Sequence, residues 1–265
     1  MSAAIFNAVE TQTLIKVTVG EEGLGVVSFN RPRELNAWSP DFMEELAAAL
    51  QSLSAAGVRV ALIRGEGRAF SAGGDIAMFA TPLSSAEHGR VARALKSIYH
   101  TMLTDDVVYI AAIHGHCVGS ALVFASCCDF RVCDETARFL LPEINMGMLP
   151  GIGIGWVGRT IPDGLLRRLL FTGEPVAAAD PACADYVTQR VPAGQAEEQA
   201  LALARSLLLK PAQALAYSKR LANRMRGDVD EVFLEYERLL NEQLLVTEEV
   251  KTRAQTFLTM RNSRR

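Results

Sequence analysis

The chain has 265 residues, enough for one large domain or for one domain with a small appendage. Its composition, with 49% hydrophobic and 22% charged residues, is that of an ordinary globular protein. The formal net charge of −3 provides no global basic field, which argues against nucleic acid or an anionic membrane as a partner.

The cysteines and the first residues predict a reducing, cytoplasmic location. Five cysteines occur without CxxC spacing, and residues 1–10 lack the basic and apolar segments of a secretion signal. We therefore expect buried, reduced thiols rather than a metal site or a catalytic cysteine.

The first part of the chain predicts the order β-β-α-β. Apolar segments at 14–19 and 26–29 indicate two strands joined as a hairpin. Ser39 is a suitable N-cap for a helix over 40–55, whose first turn is acidic. An apolar segment at 58–64 then indicates a third strand.

Strands and helices continue to alternate further on, which favours parallel βαβ units. The predicted elements are a glycine-rich loop at 65–75, helices at 75–79 and 84–104, a strand at 107–113, a turn at 115–119, a helix to about 128 and a strand at 130–133. The segment 107–128 has no Asp, Glu, Lys or Arg. Its glycines, serines and histidines indicate a buried strand, turn and helix rather than a membrane span.

The last third of the chain is predicted to be helical. The expected helices cover 164–171, 178–185, 195–209, 211–226 and 228–261. Their apolar faces need a partner, which is either the core of the domain or another subunit.

Two glycine-containing turns follow predicted strands, at 70–75 and 115–121, and each opens a helix. Small residues let a ligand approach the backbone, and helix N-termini present unpaired N–H groups. Two such turns facing one another could hold a thioester oxygen between two donors. By pattern alone, however, ordinary β-to-α turns are the simpler interpretation.

Four motifs in a fixed order favour the first interpretation, a two-donor site, over ordinary turns. They are NRPRELNA at 30–37, RAFSAGGDI at 68–76, the segment from His114-Gly115-His116 to Asp129, and LPEINMG at 141–147 followed by Pro150 and Gly151. Over nearly its whole length the chain resembles the crotonase, or enoyl-CoA hydratase/isomerase, superfamily.

The resemblance implies an α/β fold, a spiral of repeated ββα units with a helical C-terminal trimerisation region. The spiral core would cover residues 1–200 and the helical oligomerisation region residues 201–265. The implied substrate is an acyl-CoA thioester, with coenzyme A as part of the substrate and neither a further cofactor nor a metal. The implied assembly is a homotrimer or a dimer of trimers.

The resemblance also assigns roles to individual residues. The backbone N–H groups of Gly74 and Ser120 would form the oxyanion hole, and Glu143 would be the catalytic carboxylate. Substrate or CoA contacts are implied for Arg33, Ala37, Ala72 and Val123, with Lys219 and Arg220 as weaker candidates for the CoA phosphates. We expect Met78, Phe79, Met146 and Trp156 near the acyl group, and His116 at its border.

One departure from the family pattern decides which reaction we favour. Hydratases of the family use two glutamates, but Val123 stands at the position of the first, and only Glu143 remains. A single carboxylate beside an oxyanion hole can still move a proton between two carbons, as in the mitochondrial type of enoyl-CoA isomerase. The peroxisomal type, with its glutamate at the position of Gly151, is excluded. We expect the apolar neighbours of Glu143 to raise its pKa.

Three alternatives remain open. The protein could be an enoyl-CoA hydratase, or a hydratase-lyase of the hydroxycinnamoyl-CoA type with Tyr236 as its phenol-orienting residue. It could also be a non-catalytic acyl-CoA-binding member. Other signals are weak: the GxGxxG pattern at 153–158 follows no clean strand, and His114 and His116 lack a third metal ligand nearby.

Overall fold

The fold is built on a mostly parallel sheet with helices on both faces. The computed structural model describes residues 13–80, 84–150, 153–158, 160–225 and 231–263. Its strands are β1 Ile15–Val19, β2 Leu24–Phe29, β3 Val60–Gly65, β4 Val108–Ile113, β5 His116–Val118, β6 Phe130–Asp134, β7 Arg138–Leu140, β8 Val176–Ala177 and β9 Gln189–Val191.

The helices follow the strands in alternation and then dominate the C-terminal part. They are α1 Pro40–Ala55, α2 Ala77–Ala80, α3 Ser85–Thr104, α4 Ser120–Cys127, α5 Ile154–Val157, α6 Asp163–Thr172, α7 Ala196–Leu208, α8 Ala212–Met225, α9 Glu231–Leu245 and α10 Glu248–Asn262. Short 3-10 helices occupy Glu21–Gly23, Pro32–Glu34, Pro142–Met146 and Pro181–Cys183.

Within the described residues, the larger sheet has the strand order β1-β2-β3-β4-β6-β9. The hairpin β1–β2 is antiparallel, and every later pair in this sheet is parallel. The predicted hairpin, the βαβ alternation and the α/β fold class are thereby confirmed.

Alternate residues of the central strands face two separate cores. On β3, Ala61 and Ile63 belong to the core beneath α1 and α3, whereas Val60 and Leu62 belong to the core beneath α7. A strand buried on both faces is expected to be a continuous apolar run, as the sequence shows here. Helix α7 contributes its buried alanines, Ala196, Ala200 and Ala204, one turn apart, and so lies close to the sheet.

A smaller sheet of β5, β7 and β8 stands beside the first. The segment predicted as a turn at 115–119 contains β5, which pairs in parallel with β7. Strand β5 is also bridged to the first glycine loop, because the N–H of Ser71 donates to the carbonyl of His116 at 2.9 Å and the N–H of Val118 donates to that of Ser71 at 3.1 Å. This sheet therefore holds the two glycine loops side by side.

Two of the predicted helices need correction. Residues 178–185 are not a helix: β8 ends just before them, and the side chain of Asp180 caps the 3-10 helix Pro181–Cys183. The helix predicted over 228–261 is two helices, because Thr247 caps the start of α10. Its first residues, 228–230, lie outside the described residues.

The charge-free segment 107–128 forms β4, β5 and α4, in agreement with the strand–turn–helix interpretation except for β5 itself. Among the described residues, no helix has the length and apolar character needed to cross a membrane. The division at residue 200 falls inside α7, whose buried face packs on the sheet. The C-terminal oligomerisation region stays a prediction.

Candidate active site

A cavity of about 350 Å³ lies between the glycine loops and the C-terminal helices. Its lining is mostly apolar and includes Ile76, Met78, Phe79, Leu95, Met146 and Leu245. Four of the residues to which the sequence assigned a catalytic or substrate-binding role also line it: Ala72, Gly74, Ser120 and Glu143. An apolar cavity with a few polar groups is the usual form of a small-molecule site.

Asn36, from the first motif, fixes the shape of the first glycine loop. It is fully buried, and its side-chain amide donates to the carbonyls of Glu66, Ala69 and Phe70 at 2.9, 3.0 and 3.2 Å. Its backbone carbonyl accepts a 2.7 Å hydrogen bond from the hydroxyl of Ser71. A loop tied at this many points presents its backbone in one fixed orientation.

The residues on either side of Gly74 are held as well. Arg31 donates to the carboxylate of Asp75 at 2.7 Å and to the carbonyl of Ala37 at 2.9 Å. The N–H of Trp38 donates to the carbonyl of Gly73 at 2.8 Å, and the N–H of Asp75 donates to that of Trp38 at 3.0 Å. The N–H of Gly74 has no acceptor among the described residues.

The second loop approaches the first so closely that only glycine fits at position 73. A β-carbon there would lie 2.3 Å from the carbonyl oxygen of Val118, and the φ of Gly73 is +76°. A β-carbon on Gly74, in contrast, would meet only the ring of Phe79, at an ordinary 3.6 Å.

Ser120 stands at the first position of α4, after Gly119 with a φ of +54°. In the described part of the chain its N–H has no acceptor either, as expected at a helix N-terminus. Two unpaired backbone donors that line one cavity can hold a single carbonyl oxygen and stabilise negative charge on it.

Glu143 brings a carboxylate to the same cavity from the 3-10 helix Pro142–Met146. Its Oε2 is buried and accepts no hydrogen bond from any described residue. No described cation forms a salt bridge with it. Burial raises the pKa of Glu143 to about 7, as its apolar sequence neighbours predicted. A carboxyl group with this pKa can both take and return a proton near neutral pH.

Val123 does not line the cavity. Its side chain is buried in α4, and a β-carbon at Gly153 would lie 2.7 Å from its Cγ1 and 3.0 Å from the ring of Tyr99. The position is thus apolar and packed against the backbone at Gly153. Contact of Val123 with the substrate stays a prediction that the lining of the cavity does not support.

The family model for enoyl-CoA hydratase/isomerase matches residues 20–264. The chain belongs to this family. "Probable enoyl-CoA hydratase" from Rhizobium meliloti is 31% identical over 264 residues, covering 95% of this chain and 97% of that protein. "Crotonyl-CoA hydratase" from Syntrophomonas wolfei is 30% identical over 214 residues, covering 79% and 82%. The crystal structure of an enoyl-CoA hydratase/isomerase from Mycobacterium paratuberculosis superposes with a TM-score of 0.84 at 26% identity, covering 92% and 98%.

The remaining assignments carried over from the enoyl-CoA hydratase/isomerase family fall outside the cavity. Arg33 and Ala37 do not line it, and as CoA contacts they stay predictions. Lys219 needs correction: it is buried, with its ammonium 3.1 Å from Asp105 and 3.6 Å from Asp129, and is not available to a phosphate. Arg220 pairs with Asp106 at 2.6 Å.

Among the apolar predictions, Met78, Phe79 and Met146 do line the cavity. His116 and Tyr236 are exposed and do not. The side chain of Trp156 and residue Gly151 lie outside the described residues.

The sequence did not indicate several polar residues of the cavity. These are His88 on α3, Arg238, Asn241 and Glu242 on α9, and Lys251 on α10. On an amphipathic helix such residues are typical of a solvated face, and no motif marks them. Arg238 pairs with Glu235 and Glu242, and Lys251 pairs with Glu248.

Proposed function

We propose that this family member is an enoyl-CoA isomerase that moves a double bond with Glu143 as its single base. The observation that carries the proposal is the buried carboxylate of Glu143, whose Oε2 has no partner among the described residues, in the cavity that Gly74 and Ser120 line with unpaired N–H groups. The other carboxylate of the lining, Glu242, is exposed and engaged by Arg238.

In the proposed reaction, Glu143 takes a proton from carbon 2 of a 3-enoyl thioester. The electron pair of that C–H bond moves toward the carbonyl, and the N–H groups of Gly74 and Ser120 stabilise the dienolate oxygen. The protonated Glu143 then gives its proton to carbon 4, and the double bond lies between carbons 2 and 3. No water enters the product, and the carboxylate is regenerated.

Hydration is the alternative that the names of the relatives favour. Addition of water across the double bond normally draws on two carboxylates, one for each proton movement. Val123 supplies none, which supports isomerisation. The hydroxycinnamoyl-CoA alternative has less support, because Tyr236 is more than half exposed and away from the cavity.

The test is an assay of the purified protein with 3-enoyl-CoA and 2-enoyl-CoA, beside the variant Glu143→Gln. We expect the 3-enoyl thioester to be converted to the conjugated 2-enoyl thioester, with kcat lowered about 100-fold or more in the variant. Isomerisation that survives the substitution would contradict the single-base mechanism. Faster hydration of 2-enoyl-CoA would assign a hydratase, and binding without any turnover would assign a non-catalytic role.

We also propose a homotrimer or a dimer of trimers as the assembly. Large apolar side chains are exposed on the C-terminal helices: Tyr217, Leu221 and Met225 on α8, Tyr236 and Leu239 on α9, and Phe257 and Met260 on α10. Such faces are typical of subunit contacts. Sedimentation equilibrium gives the mass directly, and a monomer at all concentrations would contradict this assembly.

A further inference from the structure

Asn241 places a buried amide oxygen without a partner in the cavity, whose lining is mostly apolar. The residue lies on α9, lines the cavity and is only 8% exposed. Its Oδ1 is buried and has no hydrogen-bond partner among the described residues. Buried polar side chains without a partner are rare in folded proteins, and each needs an explanation.

The neighbouring polar groups do not satisfy this amide. Arg238 and Glu242, on the same helix, pair with one another, and Lys251 on α10 pairs with Glu248. Glu143 does not pair with it either, since its own Oε2 is also without a partner. The buried oxygen of Asn241 is therefore open to a group of a bound ligand.

We infer that Asn241 selects acyl groups that carry a neutral oxygen, a hydroxyl or a carbonyl, beyond the reacting carbons. This inference rests on the proposed acyl-CoA site. A plain hydrocarbon chain would leave the amide buried and unpaired, whereas a hydroxyl can donate to its Oδ1 or accept from its Nδ2. A carboxylate is a poorer fit, because the cations that line the cavity already pair with glutamates.

A binding experiment separates this inference from the proposed reaction. The probes are saturated thioesters, which cannot isomerise: hexanoyl-CoA and its 5-hydroxy, 6-hydroxy and 5-oxo derivatives. Their Kd values are measured by calorimetry for the unaltered protein, for Asn241→Leu, and for Gln243→Leu. Gln243 is an exposed residue of α9 that does not line the cavity, so it controls for adding a leucine to this helix.

We expect the unaltered protein and Gln243→Leu to bind at least one oxygenated thioester about tenfold more tightly than hexanoyl-CoA. In Asn241→Leu this preference is lost or reversed, with hexanoyl-CoA bound at least as tightly as before. Equal affinity for all four thioesters in the unaltered protein would overturn the inference. So would a preference that persists in Asn241→Leu, or an equal loss of affinity for all probes in that variant.

The outcome does not depend on turnover. If the protein shows the binding preference but no isomerisation, the role of Asn241 is supported and the proposed reaction is contradicted. If the protein isomerises plain 3-enoyl thioesters but shows no binding preference, the proposed reaction is supported and the role of Asn241 is contradicted.

Discussion

Gly119 leaves the space that the carboxylate of Glu143 occupies: a β-carbon at position 119 would lie 2.7 Å from Oε1. The same glycine precedes Ser120, whose N–H is one of the two donors. The carboxylate proposed as the base thus lies against the residue that precedes the proposed donor, although the two come from different segments of the chain.

Substitution Gly119→Ala is expected to lower kcat/KM about 100-fold or more. The methyl group would displace Glu143, and a displacement of about 1 Å at a reacting group has an effect of this size. The control is Gly57→Ala, which has a similar φ of +75° but no atom within 4 Å of its β-carbon position. That control should lose about 1–2 kcal/mol of stability and no activity. Equal loss of activity in both variants would show that backbone strain, and not the contact with Glu143, is responsible.

The contribution of Glu143 to the stability of the protein should fall as the pH rises from the ordinary pKa of a glutamate to the raised pKa of Glu143. In the folded chain its pKa is about 7, against 4.5 for an ordinary glutamate, because burial disfavours the charged form. Between these values the unfolded chain releases the proton while the folded chain keeps it. This shift removes about 3 kcal/mol of stability by pH 7, and nothing further above that.

Urea unfolding at pH 4 and pH 8 checks this expectation. Glu143→Gln cannot ionise, so it should match the unaltered protein at pH 4 and exceed its free energy of unfolding at pH 8. Because the base must be ionised to act, kcat/KM should also rise with an apparent pKa near 7. An identical pH dependence of stability in the two proteins would contradict the raised pKa.

Restoring a glutamate at position 123 should not restore hydration. Val123 is packed against the backbone at Gly153 and does not line the cavity. We expect Val123→Glu to lose about 3 kcal/mol or more of stability, as buried unpaired polar groups do. It should gain no activity toward 2-enoyl-CoA. Hydration by a variant that melts like the unaltered protein would show that this position can reach the substrate.

Lys219 should matter for stability and not for CoA affinity. It is buried between Asp105 and Asp129, and its ammonium lies 4.5 Å from the ring centre of Tyr109. Removing one partner of a buried ion pair costs about 3–5 kcal/mol, so Lys219→Met should unfold at much lower denaturant concentration. Arg220→Gln removes an exposed ion pair that solvent screens, so its unfolding midpoint should stay close to that of the unaltered protein. A higher Kd for CoA in a folded Lys219→Met protein would instead support the assignment of Lys219 as a phosphate contact.

Elements with strong local signals could be predicted from the sequence. Helix α1 has its serine cap and α3 its complete capping box, and the central strands are apolar on both faces. Strand β5 could not be predicted, because its three residues resemble a turn and its partner β7 comes later in the chain. The alanine-rich segment 178–185 is typical of a helix, but in the fold it forms a turn after β8 and then the 3-10 helix Pro181–Cys183.

The site shows the same limit. Glu143, Gly74 and Ser120 lie in the ordered motifs that carry the resemblance to the family, and that resemblance, rather than any single pattern, predicted that they act together; all three line one cavity. Asn241 could not be predicted, because an asparagine on an amphipathic helix gives no sign of whether it faces solvent or a cavity. The position of Val123 against Gly153 likewise depends on a loop returning from elsewhere in the chain.

The neighbouring glycines Gly73 and Gly74 offer opposite prospects for evolutionary change. Any side chain at position 73 would collide with the second loop, so no residue other than glycine can be accommodated there. A side chain at position 74 would project beside Phe79 into the cavity without disturbing its own N–H. Under the proposed function, a single substitution at position 74 would narrow the space for the acyl chain and leave in place the backbone N–H that we propose binds the thioester oxygen.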